Sequence, residues 1–261
     1  MNEIERYNRC GEELERLLML RTSPVAIKML KTEADIPEGA VRPMRDYGYH
    51  LAQCQAFALS RRKKTTVAML KEDSWCWTPL PRYGMTELIE EYNTFPMFAE
   101  TQEAADSLAK AFPCLDYGTY IGIVSAPLGT AGFEPDVVLI YANAAQVRCM
   151  LFSVKYKEGA LVTSYFDPIG SCVYSIVPVL KTGDYRITVP DPGEYERSAA
   201  GDDELIFSVP GDKVESFVSG LKHFDENNQG YRHFAVDMRP DFPQPDFYKK
   251  IFQMWGLDAG K

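Results

Sequence analysis

Cys54, Cys76 and Cys172 are the residues with the strongest claim on chemistry in this 261-residue chain. An intracellular chain has little use for disulfides, so its thiols are either buried small hydrophobes or working thiolates. Cys54 follows His50 by four residues, one helical turn, so on a helix the two share a face and can contact one ion. Cys76 sits between Trp75 and Trp77, whose rings offer a dry wall beside a thiol. Cys172 follows Ile169-Gly170-Ser171 at an expected helix start, where free backbone N–H groups favour a thiolate. Three thiolates suit a soft centre, zinc or an iron–sulfur cluster, and leave a fourth position for His50, water or substrate.

No CxxC or compact ferredoxin run occurs, so such a site has to be assembled from distant segments. The same three cysteines also read as packed core, and Cys172 alone reads as a nucleophile with a lowered pKa. Cys10, Cys114 and Cys149 read as structural. Lys28, Arg45 and Arg82 are candidates for holding a small anionic ligand, since Lys28 ends an apolar strand and each arginine lies in a loop near one of the singled-out cysteines.

The net charge of −9 argues against general affinity for nucleic acid or anionic membrane. The charged start lacks the pattern of a signal peptide, and no apolar run approaches a bilayer span; a cytoplasmic protein is expected. With 46% hydrophobic and 25% charged residues, the composition is that of a globular chain. A small-molecule substrate or a redox partner is expected, and a homo-oligomer is compatible with the composition.

Periodicity predicts a first amphipathic helix within residues 1–20 and a strand at 24–30. A helix over 50–59 and a strand over 65–70 follow. Helices are expected at 86–92 and 101–112, strands at 122–126 and 136–141, and an Asn143-capped helix beyond. A strand at 159–165 precedes the helix that carries Cys172. Strands at 185–189 and 205–209 and helices to Leu221 and over 246–255 complete the chain. Residues 78–84 and Asp191-Pro192-Gly193 read as irregular turns. The irregular alternation points to a mixed α+β fold, a central mixed sheet flanked by helices, in one unit over 1–261.

Several segments, taken in order, resemble the prokaryotic domain-of-unknown-function family 169. They are Thr22-Ser23-Pro24-Val25-Ala26-Ile27-Lys28, Gln53-Cys54-Gln55, Cys76 in its loop, and Ala126-Pro127-Leu128. Phe133-Glu134-Pro135-Asp136 with its apolar continuation, Gly170-Ser171-Cys172, Asp203-Glu204-Leu205 and Val209-Pro210 complete the set. The resemblance covers about residues 17–221 and leaves 222–261 as an extension. It implies that Cys54, Cys76 and Cys172 match the family's cysteines, and that the setting is anaerobic metabolism; the family has no settled activity. The family's small residues and glycine after the second cysteine are replaced here by Trp77-Thr78-Pro79-Leu80-Pro81.

Together these readings favour an iron–sulfur protein, redox-active or substrate-activating, with Cys54, Cys76, Cys172 and His50 as ligands. A metal-free enzyme with Cys172 as nucleophile and a binding module for an anionic ligand are the alternatives.

Overall fold

In the computed structural model, which describes residues 2–89, 98–233 and 245–257, the sheet is the frame on which everything else is hung. Its strands are β1 (Val25–Leu30), β2 (Val67–Leu70), β3 (Gly122–Pro127), β4 (Val137–Ala142), β5 (Arg186–Thr188) and β6 (Leu205–Pro210). They lie in the order β2-β3-β1-β4-β6-β5. The α+β architecture with helices on both faces is the expected one. Every ladder is antiparallel, and the only parallel pairings among the described residues are the isolated bridges Val41–Val67 and Leu51–Ser74.

Side chains alternate across a strand, so β1 feeds two cores. Val25, Ile27 and Met29 enter one, and Ala26 and Leu30 the other. The helices are α1 (Glu3–Leu18), α2 (Gln53–Lys63), α3 (Pro79–Arg82), α4 (Gln102–Ala111) and α5 (Ala144–Glu158). Then come α6 (Ser171–Tyr174), α7 (Val177–Thr182), α8 (Pro192–Ser198), α9 (Val214–Glu226) and α10 (Asp246–Met254). Leu14, Leu17 and Leu18 of α1, Met150 and Val154 of α5, and Phe217 and Leu221 of α9 fill the core on the Ala26 face. Phe57 of α2, Tyr83, Phe112, and Val173 to Val179 of α6 and α7 fill the other.

Caps set the helix ends. Asn2 and Glu5 form a reciprocal capping box at α1, and Asn143 and Gln146 form one at α5. Gly11 lets α1 lie against the backbone at Gly129, where a Cβ would come within 2.5 Å of its nitrogen. No helix among the described residues is long and apolar enough to cross a membrane.

Several expected elements differ. The helix expected from His50 begins at Gln53, because Leu51 bridges to Ser74 and Ala52, in extended conformation, is the N-cap. His50 therefore lies outside the helix and is exposed, and shares no helix face with Cys54. Residues 159–165 form no strand: Gly159 ends α5, and side chains take over the bonding. Ser164 Oγ accepts from Ile187 N at 2.7 Å, while Leu161 and Tyr165 face solvent. Residues 86–89 are irregular, following a turn in which Gly84 (φ +73°) packs against the Asp116 carbonyl; the rest of the expected 86–92 helix lies outside the described residues. Within 78–84, expected to be irregular, Pro79 starts the single turn α3, its fixed φ being suited to a first helical position. Asp191-Pro192-Gly193 is the start of α8 rather than a turn.

Candidate functional site

Three helix starts meet on the β1–Val25 face of the sheet, and each brings groups that belong to one site. Cys54 is the second residue of α2, buried, with its thiol donating to the Gly193 carbonyl at 3.6 Å. Cys172 is the second residue of α6 and is buried too. Gly170 precedes that helix at φ +68°, with a Cβ position 2.2 Å from the Phe112 ring, so both conformation and space call for glycine there. The Cys172 carbonyl is held by Tyr83 Oη at 2.8 Å and Ser175 Oγ at 3.2 Å.

Cys76 is half-buried in the loop after β2. That loop is pinned to the approach of α2: Trp75 N donates to Leu51 O at 2.8 Å, and Leu51 N to Asp73 O at 3.0 Å. Ser74 Oγ donates to the Cys76 carbonyl at 2.8 Å.

Burial and neighbouring carboxylates both act on the buried thiols. Burial pushes the Cys172 thiol well above its ordinary pKa, and the charges that add to this are Asp191, Cys76, Cys54 and Glu194. Burial likewise pushes Cys54 up to about 12, helped by Glu194 and Asp191. The Ser198 hydroxyl and Arg197 act in the opposite direction, although Ser198 Oγ completes no hydrogen bond of ordinary geometry. Contacts join the three segments: Arg197 of α8 lies 5.1 Å from the Trp75 ring centroid, next to Cys76, Cys54 bonds Gly193, and Ser171 N bonds Asp191. The expected low-pKa Cys172 is corrected here. A one-turn helix supplies little dipole, and desolvation beside two carboxylates outweighs it.

Asp191 joins two of the helix starts. Its Oδ1 accepts from Glu194 N at 2.9 Å as the N-cap of α8, and its Oδ2 accepts from Ser171 N at 2.9 Å at the start of α6. Asp191→Ala removes both caps, and unfolding should cost about 1–2 kcal/mol less than for the parent chain. Denaturant titration checks this; an unchanged midpoint would show that the shared cap contributes nothing.

Glu194 is fully buried, accepts from Tyr141 Oη at 2.8 Å through Oε1, and has no partner for Oε2 among the described residues. Burial raises its carboxyl to about 7. Gln53 Nε2 and Ser171 Oγ, on the residues preceding Cys54 and Cys172, are also buried without a partner among the described residues. Behind Glu194, the Arg61 guanidinium stacks 3.8 Å from the Tyr141 ring centroid and binds both carboxylate oxygens of Glu204 at 3.1 and 3.2 Å.

The remaining candidates stand elsewhere. Lys28 falls on the opposite face of β1 with Ala26 and Leu30, and its Nζ reaches the Glu134 carbonyl at 3.3 Å. Arg45 is exposed and paired with Asp46. Arg82 is buried, with Nη1 3.0 Å from the Phe112 carbonyl and its guanidinium 4.9 Å from the Phe112 ring. Cys10 and Cys149 pack in the core of the other face, and the Cys114 thiol donates to the Pro81 carbonyl at 3.2 Å. Among the described residues, no three His, Cys, Asp or Glu side chains stand as ligands around a single metal ion.

Sequence reasoning missed Asp191 and Glu194. The available signal was Asp-Pro-x-Glu, an N-cap, a first-position proline and a third-position glutamate, which announces a helix.

Comparison with known proteins agrees with the resemblance read from the cysteine segments. An uncharacterised protein of Methanocaldococcus jannaschii is 23% identical over 232 residues, covering 86% of this chain and 96% of that protein. No solved structure matches. The model of domain-of-unknown-function family 169, described as uncharacterised ArCR, matches residues 13–220, and the chain belongs to that family.

Proposed function

We propose that Cys54, Cys76 and Cys172 hold an iron–sulfur cluster, and that the protein is a redox or substrate-activating component of anaerobic metabolism. The observation that carries this reading is the surroundings of Cys172: two other cysteines, from chain positions 96 and 118 residues away, act on its thiol in a buried setting. Cys54 comes from the first turn of the eleven-residue α2, where N–H groups offset the negative charge of a thiolate.

No group of three or more His, Cys, Asp or Glu side chains that could hold a metal ion stands together among the described residues, so a single-ion site has less support than a cluster. Zinc–sulfur bonds of about 2.3 Å in a tetrahedron require thiolates roughly 4 Å apart, whereas a multi-iron cluster accepts ligands set further apart. The unpartnered hydroxyl of Ser171 and amide of Gln53 are donors suited to sulfur, and such bonds tune reduction potential. A bound cluster would supply one-electron transfer or, at an iron lacking a cysteine, Lewis-acid activation of substrate. The half-buried Cys76 loop is the edge by which a partner or substrate would reach it. A metal-free Cys172 nucleophile has less support, because it needs a thiol below about 8.5 and burial acts the other way.

Purified without oxygen, the protein should be brown, with iron and acid-labile sulfide in stoichiometric amounts. Cys172→Ala should lose most of both while Cys149→Ala keeps them. A colourless anaerobic preparation with neither element would end the reading.

A further inference from the structure

We infer that the cleft between α7, β5 and the segment at Ser164-Tyr165 binds a small aromatic carboxylate, with Lys181 holding the carboxylate and tyrosine rings flanking the ligand's ring. The inference does not depend on the cysteine centre proposed above, since no cysteine lines this cleft among the described residues.

Shape comes first. The cleft has a volume of about 290 Å³, close to the lower end of pockets that hold small ligands. Pro113, just after α4, Tyr174 of α6 and Pro178 of α7 give it apolar walls. Tyr174 is fixed by its packing on Phe112, with ring centroids 4.9 Å apart. Tyr165 stands at the rim with 88% of its surface exposed, on a segment tied to β5 by the bond between Ile187 N and Ser164 Oγ. A flat ligand ring lying against it would remove that area from water.

Charge sets the sign of the ligand. Among the described residues the lining carries two cations, Lys181 and Arg186, and no carboxylate. Gly183, at φ +66°, ends α7 and turns the chain back into β5, so one short turn brings both cations to the same cleft. Arg186 is a fixed charge. Its Nη1 donates to the Thr163 and Tyr185 carbonyls at 3.2 and 3.0 Å, and its Nη2 to the Thr182 hydroxyl at 3.1 Å. Its carboxylate neighbour, Asp184, stands 3.5 Å away with a side chain 60% exposed, a pairing that water weakens. Asp167 acts on the Tyr174 hydroxyl from outside the lining. Lys181 is the available donor: of its three N–H groups, one is used among the described residues, on the Cys114 carbonyl at 3.1 Å. A carboxylate at Lys181 receives a charge-assisted bond, while the attached ring lies between apolar walls. The larger cleft beside Trp77, Leu88 and Ile89, about 400 Å³, offers Glu87 and no cation among the described residues, so it is not suited to an anion.

Benzoate, phenylacetate and 4-hydroxybenzoate, titrated into the full chain by calorimetry and by ligand-detected nuclear magnetic resonance, test this. Benzamide and inorganic phosphate are the comparison ligands, and circular dichroism checks the folding of each variant. At least one of the acids should bind the parent, with benzamide and phosphate each weaker by about tenfold or more. Lys181→Met should weaken the acid by about tenfold or more, through loss of a charge-assisted bond, and Tyr165→Ala should weaken it by about threefold or more. Both side chains are exposed, so neither substitution should disturb the fold. No binding by any of the three acids at millimolar concentration would overturn the inference. Parent-like affinity in either variant, or benzamide or phosphate binding as tightly as the acid, would overturn it too. A preparation without iron removes the proposed function and leaves this inference intact, because the same titration is read on metal-free protein.

Discussion

Glu204→Ala is expected to destabilise the protein by about 3–5 kcal/mol, the largest single effect outside the core. Arg61 is among the largest fully buried side chains, and its Nη1 binds both oxygens of Glu204, itself buried. The Arg61 guanidinium lies over Tyr141, which disperses some of its charge, but its Nε and Nη2 have no partner among the described residues. Removing the carboxylate leaves a cation enclosed in protein with, among the described residues, only Thr22 Oγ1, at 3.3 Å, in hydrogen-bond contact with the side chain. The cost is then dominated by the uncompensated charge, not by the lost attraction. A double variant, Arg61→Met with Glu204→Leu, should recover much of the stability, since it removes both charges at similar volume. Denaturant midpoints for the three proteins decide the matter. A single-variant loss below about 1 kcal/mol, the scale of an exposed pair, would mean that water reaches Arg61.

The second large effect is on pH dependence. In the metal-free protein the Glu194 carboxyl titrates near 7 against an ordinary 4.5, chiefly because it is buried. A raised carboxyl binds its proton more tightly in the folded chain than in the unfolded one. Its favourable contribution is therefore complete below about 4.5 and is lost as pH rises through 7. A separation of this size corresponds to about 3 kcal/mol between the two ends of that window, to order of magnitude. The groups facing it are Tyr141, Asp191, Glu204, Arg61 and Cys54. Tyr141 and Cys54 are both pushed upward and titrate far above this range. Unfolding of the metal-free protein should therefore be harder at pH 5 than at pH 8 by most of that amount, and Glu194→Gln should flatten the difference. Identical slopes for parent and Glu194→Gln would show that another group sets the pH response.

Both predictions concern residues that no local pattern singles out. Arg61 sits in Arg61-Arg62-Lys63-Lys64, which looks like a solvated, cationic end to a helix. In the fold Arg61 alone turns inward, because its place on α2 faces the sheet, while Lys63 and Lys64 remain exposed. Glu204 similarly belongs to an acidic turn in which Asp203 pairs at the surface with Arg21, yet its own side chain reaches the interior. A run of like charges carries no information on which member points into the core; that is settled by helix phase against a partner 143 residues away.

The legible part of this protein follows from short-range rules. Apolar runs bounded by turn residues identify all six strands within a residue or two, and Asn143 before an apolar helix announces its own cap. The ordered segments around Cys54, Cys76 and Cys172 were enough to indicate the family. Those rules fail where a segment's bonding is completed by distant groups. Residues 159–165 have a strand's composition but find only side-chain partners, and Asp191 looks like a turn residue until Ser171, 20 residues earlier, supplies the second helix start it caps. Residue types and local propensities thus determined the elements and the three thiols worth watching. Only the folding of the antiparallel sheet decided that the helix starts carrying Cys54 and Cys172 both meet the start of α8, and that His50 lies outside the helix of Cys54. Burial and charge proximity are properties of the packed chain, and no spacing along the sequence encodes them directly.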